Sequence, residues 1–421
     1  MEPGADGSIF VLPSSSSQRR LSARLTAWLG RLDAERRRWT AAALLVATTV
    51  GAGASMTASP LPVHVGQAAS ADTGSAAAAG VVRGFTAATP PAAGPIPLGK
   101  GMWLNRFERS AGGDPQALVA RAQQLGLTHL YVRVGSSWKG FYAQDVLERL
   151  LPVAHAAGIK VVGWDFPNLR DINADVQRGR AAIWYTTATG HRMDAFSADI
   201  ETQSEGTNLT AGGALEYGAA LRAQAGPGYP LIATVPRPSP KRWFPFAEAT
   251  ASFDAIAPMV YWGKRDPVQD VRGAIADLRR FGKPVLPVGQ AYDSAIDGWA
   301  GGSPSKQALA NFTQAAFDDG ALGVSFWVWE TASSEHWAAI GEASQFNVDP
   351  DKVAKGDPQA VGFLQRSLAG VGHPTPVDGT MGESTKAALE SFQRRQGLPP
   401  TRQLDPPTAA ALVQPLPLPV G

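Results

Sequence analysis

Residues 114–135 read DPQALVARAQQLGLTHLYVRVG. Asp114 followed by Pro115 marks a helix start, with a carboxylate at the N-cap and proline at the first helical position. The helical segment 114–125 stops at Gly126, the residue that a left-handed C-cap favours. A run of β-branched and aromatic residues, 128–135, then reads as a strand. The same unit recurs along the chain. Strands are predicted at 101–107, 128–135, 160–166, 195–201, 230–235, 254–262, 284–291 and 323–329. Helices are predicted at 114–125, 145–157, 173–188, 211–225, 267–281 and 305–318, with further stops at Gly158, Gly282 and Gly320. Eight such units in about 245 residues match a (β/α)8 TIM barrel of the α/β class in count and size. A doubly wound sheet is the alternative, but it rarely needs eight evenly spaced strands. No Gly-rich phosphate loop follows the first strand, so a nucleotide-binding reading lacks its motif.

Composition narrows the function. The chain has 421 residues, 44% of them apolar and 18% charged, which is ordinary for globular protein. A formal net charge of +2 argues against nucleic acid as a partner, because that needs a concentrated basic surface. With no cysteine, disulfides, thiolate nucleophiles and Cys-type zinc sites are all excluded. The six histidines are scattered, none in an HExxH or HxH arrangement, so neither a metal nor a cofactor is expected.

Residues 1–38 are polar and basic, with Arg19, Arg20, Arg24, Arg31 and Arg36 to Arg38. The uncharged run 39–56 follows. A positive flank before an apolar run reads as an export signal or a transmembrane signal anchor, with segment 1–38 on the cytoplasmic side. Ala69-Ser70-Ala71 offers a cleavage site. Residues 57–98 are rich in Ala, Pro, Gly, Ser and Thr and read as a disordered linker. The expected organisation is completed by a barrel over 99–345, a helical unit over 357–413 and a Pro-rich tail over 414–421. An exported, envelope-associated protein is implied, with the membrane contacted through its N-terminal segment.

In the helical unit, Leu364-Gln365, Leu368, Asp378-Gly379, Met381-Gly382, Thr385, Ala388-Leu389, Phe392-Gln393, Gln396-Gly397-Leu398, Thr408 and Leu412 stand in order. Leu364 and Leu368 are four apart, and Leu389 and Phe392 three apart, so each pair shares a core face. This segment resembles the type 1 peptidoglycan-binding domain, which implies a three-helix fold and a wall glycan as partner. Where that family often has a second Gly-containing turn, this chain has Thr401-Arg402-Gln403-Leu404-Asp405.

Barrel chemistry sits at the C-terminal ends of strands. The fourth predicted strand ends in Ser197-Ala198-Asp199-Ile200-Glu201. Residues two apart on a strand share a face, so Asp199 and Glu201 point together, and their repulsion raises one pKa into the range of a general acid. Eight of the 12 tryptophans fall at or just past strand ends: Trp103, Trp138, Trp164, Trp243, Trp262, Trp299, Trp327 and Trp329. Aromatic faces around a cleft suit sugar rings, and core packing is the alternative. Asp165 and Glu330 either serve the substrate or pair with Arg133 or Arg106 at the rim. Asn105 either binds sugar hydroxyls or caps a loop. Glu205, in a Gly-containing loop, reads as solvent-exposed.

The barrel resembles glycoside hydrolase families 18 and 25, chitinase-like and lysozyme-like. Asp199-Ile200-Glu201 is similar to the end of the family 18 signature, Met259-Val260-Tyr261 to its Met-x-Tyr, and Trp327 or Trp329 to its strand-eight tryptophan. The resemblance implies that Glu201 protonates the leaving oxygen while Asp199 and Tyr261 hold the substrate's acetamido group, a substrate-assisted route. Trp103, Asn105, Asp165, Trp262, Trp327, Trp329 and Glu330 are the expected substrate contacts. This chain departs from family 18 in carrying Phe196-Ser197-Ala198 where aspartates are usual and Trp262 where Asp is frequent. It departs from family 25 in Asn105, where that family has an aspartate. A glycosidase acting on peptidoglycan or a related N-acetylated glycan is therefore expected, the alternative being a glycan-binding protein on a degenerate barrel.

Overall fold

The computed structural model describes residues 96–297, 301–343 and 348–413. The expected segments 1–38 and 39–56, all but the last residues of 57–98, Trp299 and the tail 414–421 lie outside them. Among the described residues, no helix is long and apolar enough to cross a membrane.

Eight strands form a closed parallel barrel: β1 Gly99–Leu104, β2 His129–Ser136, β3 Lys160–Phe166, β4 Ala195–Asp199, β5 Leu231–Pro236, β6 Ala255–Val260, β7 Val288–Gln290 and β8 Gly323–Trp327. Each pairs with the next, and β8 pairs with β1 to close the ring. A two-residue arm, Gly140–Phe141, pairs antiparallel with β2. The punctuation acts as the sequence implied. Asp114 accepts from Gln116 N, and Asp266, also followed by proline, does the same for Val268 N. Such caps stabilise by about 1 kcal/mol each. Gly126, Gly158, Gly282 and Gly320 all adopt positive φ, between 63° and 78°.

Most expected elements are trimmed or shifted by a few residues, and two of the differences are instructive. The strand expected at 284–291 shrinks to three residues, because Pro284 and Pro287 have no N–H to give to the ladder. Ile96 and Leu98, placed in the linker by composition, are buried in the barrel core at 5% and 4% exposure.

The lumen is filled by a column of rings. His129 occupies the space that a Cβ on Gly101 would need, 2.1 Å away. Above it Tyr131 stacks on Trp103 at 4.1 Å, and Trp103 meets Trp164 at 5.5 Å and Trp327 at 6.0 Å. The top of this column is the floor of the cleft described below. At the opposite end, the buried Lys100 ammonium donates to Ile340 O and Ala343 O, the open carbonyls ending helix Ser334–Glu342.

Helices Pro358–Gly370, Glu383–Arg395 and Pro406–Val413 form the C-terminal module around Leu364, Leu368, Leu389, Phe392 and Leu412. Two buried glutamines play matching parts in it. Gln365 accepts from Asp378 N and Gly379 N and donates to Thr385 Oγ1. Gln393 accepts from Arg402 N and donates to Thr408 Oγ1. Arg402 therefore stands where the first turn has Gly379, and both have positive φ, 62° and 72°. The turn keeps its shape without the glycine. The module packs under the N-terminal ends of the strands: Phe317 meets Phe363 at 5.0 Å, and Gly370 leaves room for Leu322.

Candidate active site

At the C-terminal ends of the strands lies a cleft of about 630 Å³. Its floor is Trp103 and Trp327, and Trp164 packs against both from below. Trp103 Nε1 donates to Ser325 Oγ at 2.8 Å and Trp164 Nε1 to Leu104 O at 3.1 Å, so the rings are fixed in place.

Asp199 ends β4 and Glu201 follows two residues later. Ile200 N still donates to Thr234 O at 2.8 Å, so strand geometry persists past the last paired residue. Ile200 is buried, while both acids line the cleft and are half-buried. Burial and then the neighbouring Glu201 charge hold the Asp199 carboxyl well above the usual carboxylate range, against the pull of Arg133. Asp199 Oδ1 is buried without a hydrogen-bond partner. Glu201 is pushed up to about 7, first by burial and then by Glu205, while Lys241 and the Thr202 N–H act the other way. A carboxylic acid still protonated near neutrality is the group that general acid catalysis requires.

Tyr261 follows β6 directly and lines the cleft with Met259, its ring edge-on to Tyr292 at 5.7 Å. Glu205 is exposed, as expected, yet it also lines the cleft.

Five expected contacts do not line the cleft. Trp164 faces the lumen, so its neighbour Asp165 faces outward, 1% exposed, and accepts from Arg178 Nε at 2.7 Å. Trp262 likewise turns away from Tyr261 and stacks on Phe312 at 5.2 Å. Trp329 packs against Trp337 at 4.8 Å beneath the last barrel helix. Glu330 accepts from Arg106 N and ties the loop after β8 to the loop after β1. Asn105 accepts from Arg133 Nη1 at 2.8 Å, steadying a guanidinium that lies over the Trp164 ring.

The sequence reading missed the opposite wall. The loop after β5 contributes Arg237 and Lys241, and the loop after β6 contributes Arg265. Asp270 accepts from both Arg237 Nη1 and Arg265 Nε. The signal was present in RPSPKRW, residues 237–243, but loop residues carry no periodicity to say where they point.

No curated protein matches this chain in sequence. Among solved structures, the spore cortex-lytic enzyme SleL of Bacillus cereus is similar at 10% identity, covering 59% of this chain and 75% of its own, with a TM-score of 0.43. The catalytic domain of a hyperthermophilic chitinase from Pyrococcus furiosus gives 12% identity, 59% and 95% coverage and a TM-score of 0.44. A chitinase from Chromobacterium violaceum gives 12%, 59%, 99% and 0.39. At the other end of the chain, residues 357–412 match the peptidoglycan binding domain family.

Proposed function

We propose that the barrel is a glycoside hydrolase acting on an N-acetylated wall glycan and that the C-terminal module holds the enzyme on that wall. The observation that carries the reading is the Asp199–Glu201 pair, two carboxyls raised by burial and like charge above a tryptophan floor. Glu201 donates its proton to the glycosidic oxygen as the bond to the anomeric carbon breaks. The substrate's own acetamido oxygen closes on that carbon, with Asp199 and Tyr261 holding the acetamido group. Water then opens the ring intermediate and returns a proton to Glu201. Trp327, partly exposed in the floor, offers its ring to the sugar, and the buried Trp103 supports it from the lumen. The module's family match supports peptidoglycan as the partner. We further propose that the apolar run 39–56 directs the chain out of the cell, as a cleaved signal or a membrane anchor.

One observation favours a second reading, a glycan-binding barrel without turnover. Ser197, two residues before Asp199 on the same face, has its hydroxyl bonded to Thr234 Oγ1 at 2.8 Å and supports no carboxylate chain behind Asp199. Incubating the protein and its Glu201→Gln variant with purified peptidoglycan distinguishes the two. New reducing ends from the wild type alone are expected. No release from either, with both pelleting with the wall, would leave the binding reading.

A further inference from the structure

The cleft is electrically two-sided. Asp199, Glu201 and Glu205 lie on the β4 side, while Arg237, Lys241 and Arg265 lie on the side built by the loops after β5 and β6. The acids have the role described above. The cations do not, and their charge is not cancelled locally. Asp270 is shared by two guanidiniums, which leaves one positive charge over. Among the described residues, Lys241 makes no ion pair, although its ammonium is close enough to Glu201 to act on it electrostatically. That influence opposes protonation of Glu201, so a lysine here works against the proton donor when the cleft is empty. A neutral homopolymer of N-acetylglucosamine would deepen the problem, because it would displace water from these cations and give them no counter-charge.

Resting on the glycosidase reading above, we propose that the cleft selects glycans bearing a carboxylate on a sugar at or beside the scissile linkage, and that Lys241 reads that carboxylate with Arg265 alongside. The chemical class is an N-acetylated sugar with an acidic ether substituent. An anion at this position neutralises the wall, restores the proton affinity of Glu201 and is repelled by Glu205 from the opposite side. One wall thus sets the register of the chain in the cleft.

The test uses the full chain and three soluble probes of matched length. These are glycan strands freed of their peptides, whose lactyl carboxylates are bare, the same strands with those carboxylates converted to methylamides, and chitohexaose. Wild type should use the carboxylate strands about tenfold better than the methylamides, mainly through KM, as a charge-assisted contact implies. Lys241→Ala should erase most of that preference, Lys241→Arg should restore it, and Lys241→Glu should reverse it. Equal use of both strands by wild type, or an equal loss on both in Lys241→Ala, would overturn the proposal. No turnover of any probe would instead remove the glycosidase reading. In that case calorimetric affinities of wild type and Lys241→Ala for the two strands decide the inference separately, since the module is common to both proteins. A preference lost with Lys241 upholds charge selection, and identical affinities reject it.

Discussion

Replacing Glu201 by Gln should abolish turnover and, above neutral pH, make the barrel harder to unfold. In the unfolded chain this carboxyl titrates near 4.5, whereas in the cleft burial and Glu205 push it up to about 7. The fold therefore favours the protonated form. Stability from this group is fully present below 4.5, declines between 4.5 and about 7, and is lost above that window. At 1.36 kcal/mol per tenfold change in proton affinity, the ceiling is about 3 kcal/mol. The side chain is only half-buried and the cleft meets solvent, so screening reduces the expected effect to about 1–2 kcal/mol. Glutamine mimics the protonated acid at every pH and escapes the penalty. A domain of this size moves its midpoint by about 2–4 °C per kcal/mol, so the variant should melt about 2–8 °C above wild type at pH 8. At pH 4 the two should coincide. Paired calorimetric scans at the two pH values measure this directly, and the wild-type comparison at each pH cancels the titrations of groups that do not interact with Glu201, leaving the coupled Asp199 as part of the same effect. Equal midpoints at pH 8, or a gap that persists undiminished at pH 4, would refute the argument that the cleft holds Glu201 protonated.

Three further outcomes follow from neighbouring contacts. Removing the Glu205 charge with Gln should lower the Glu201 pKa and move the descending limb of the pH–rate profile down by about half a pH unit, and Lys241→Ala should move it up; shifts of the same sign would contradict the assignment. Arg178→Met should destabilise the barrel by about 3–5 kcal/mol in denaturant titration, because it strands Asp165 and Asp175 in a buried site. Gln365→Leu should weaken the module by about 1–3 kcal/mol, because it orphans the turn N–H groups of Asp378 and Gly379, and the loss should be read as weaker co-sedimentation with peptidoglycan at raised temperature.

Periodicity and punctuation made the barrel legible. Asp-Pro starts, glycine stops and β-branched runs each have a backbone cause that acts within a few residues, so eight units could be counted without tertiary information. The module was legible because its leucines, glutamines and turn residues stand in the order of a known domain, and the structure adds that Gln365 and Gln393 serve equivalent turns. In the site, alternation along β4 was enough to bring Asp199 and Glu201 together. What stayed hidden was the direction of side chains where strand alternation had ended, and the face taken by Asp165 within β3. After Trp327 the chain enters a 3-10 turn at Trp329–Thr331, so alternation no longer carries Trp329 to the face of Trp327. The cations of the opposite wall stand on loops, where only the folded chain determines direction.

The carboxylates at the ends of β3 and β4 show how one step of alternation separates an acid held in an ion-pair network from one that faces the cleft. Asp165 and Asp199 are both aspartates near the C-terminal end of a barrel strand, and burial raises both. Asp165 points outward. It accepts from Arg178, whose Nη1 also donates to Asp175 at 2.6 Å, and Asp175 in turn accepts from Ser137 Oγ and Leu169 N. That network joins a strand, a helix and two loops, and its acids have no freedom to exchange protons with a ligand. The Oδ1 of each aspartate is buried without a hydrogen-bond partner, but Asp199 points inward, where the nearest strong influence is a second acid and not an ion-paired guanidinium. An unpaired carboxyl facing a ring-lined cleft is unfavourable for folding alone. On the proposed reading a ligand supplies the missing hydrogen bond, and the acetamido N–H of an N-acetylated sugar is a donor of the right kind.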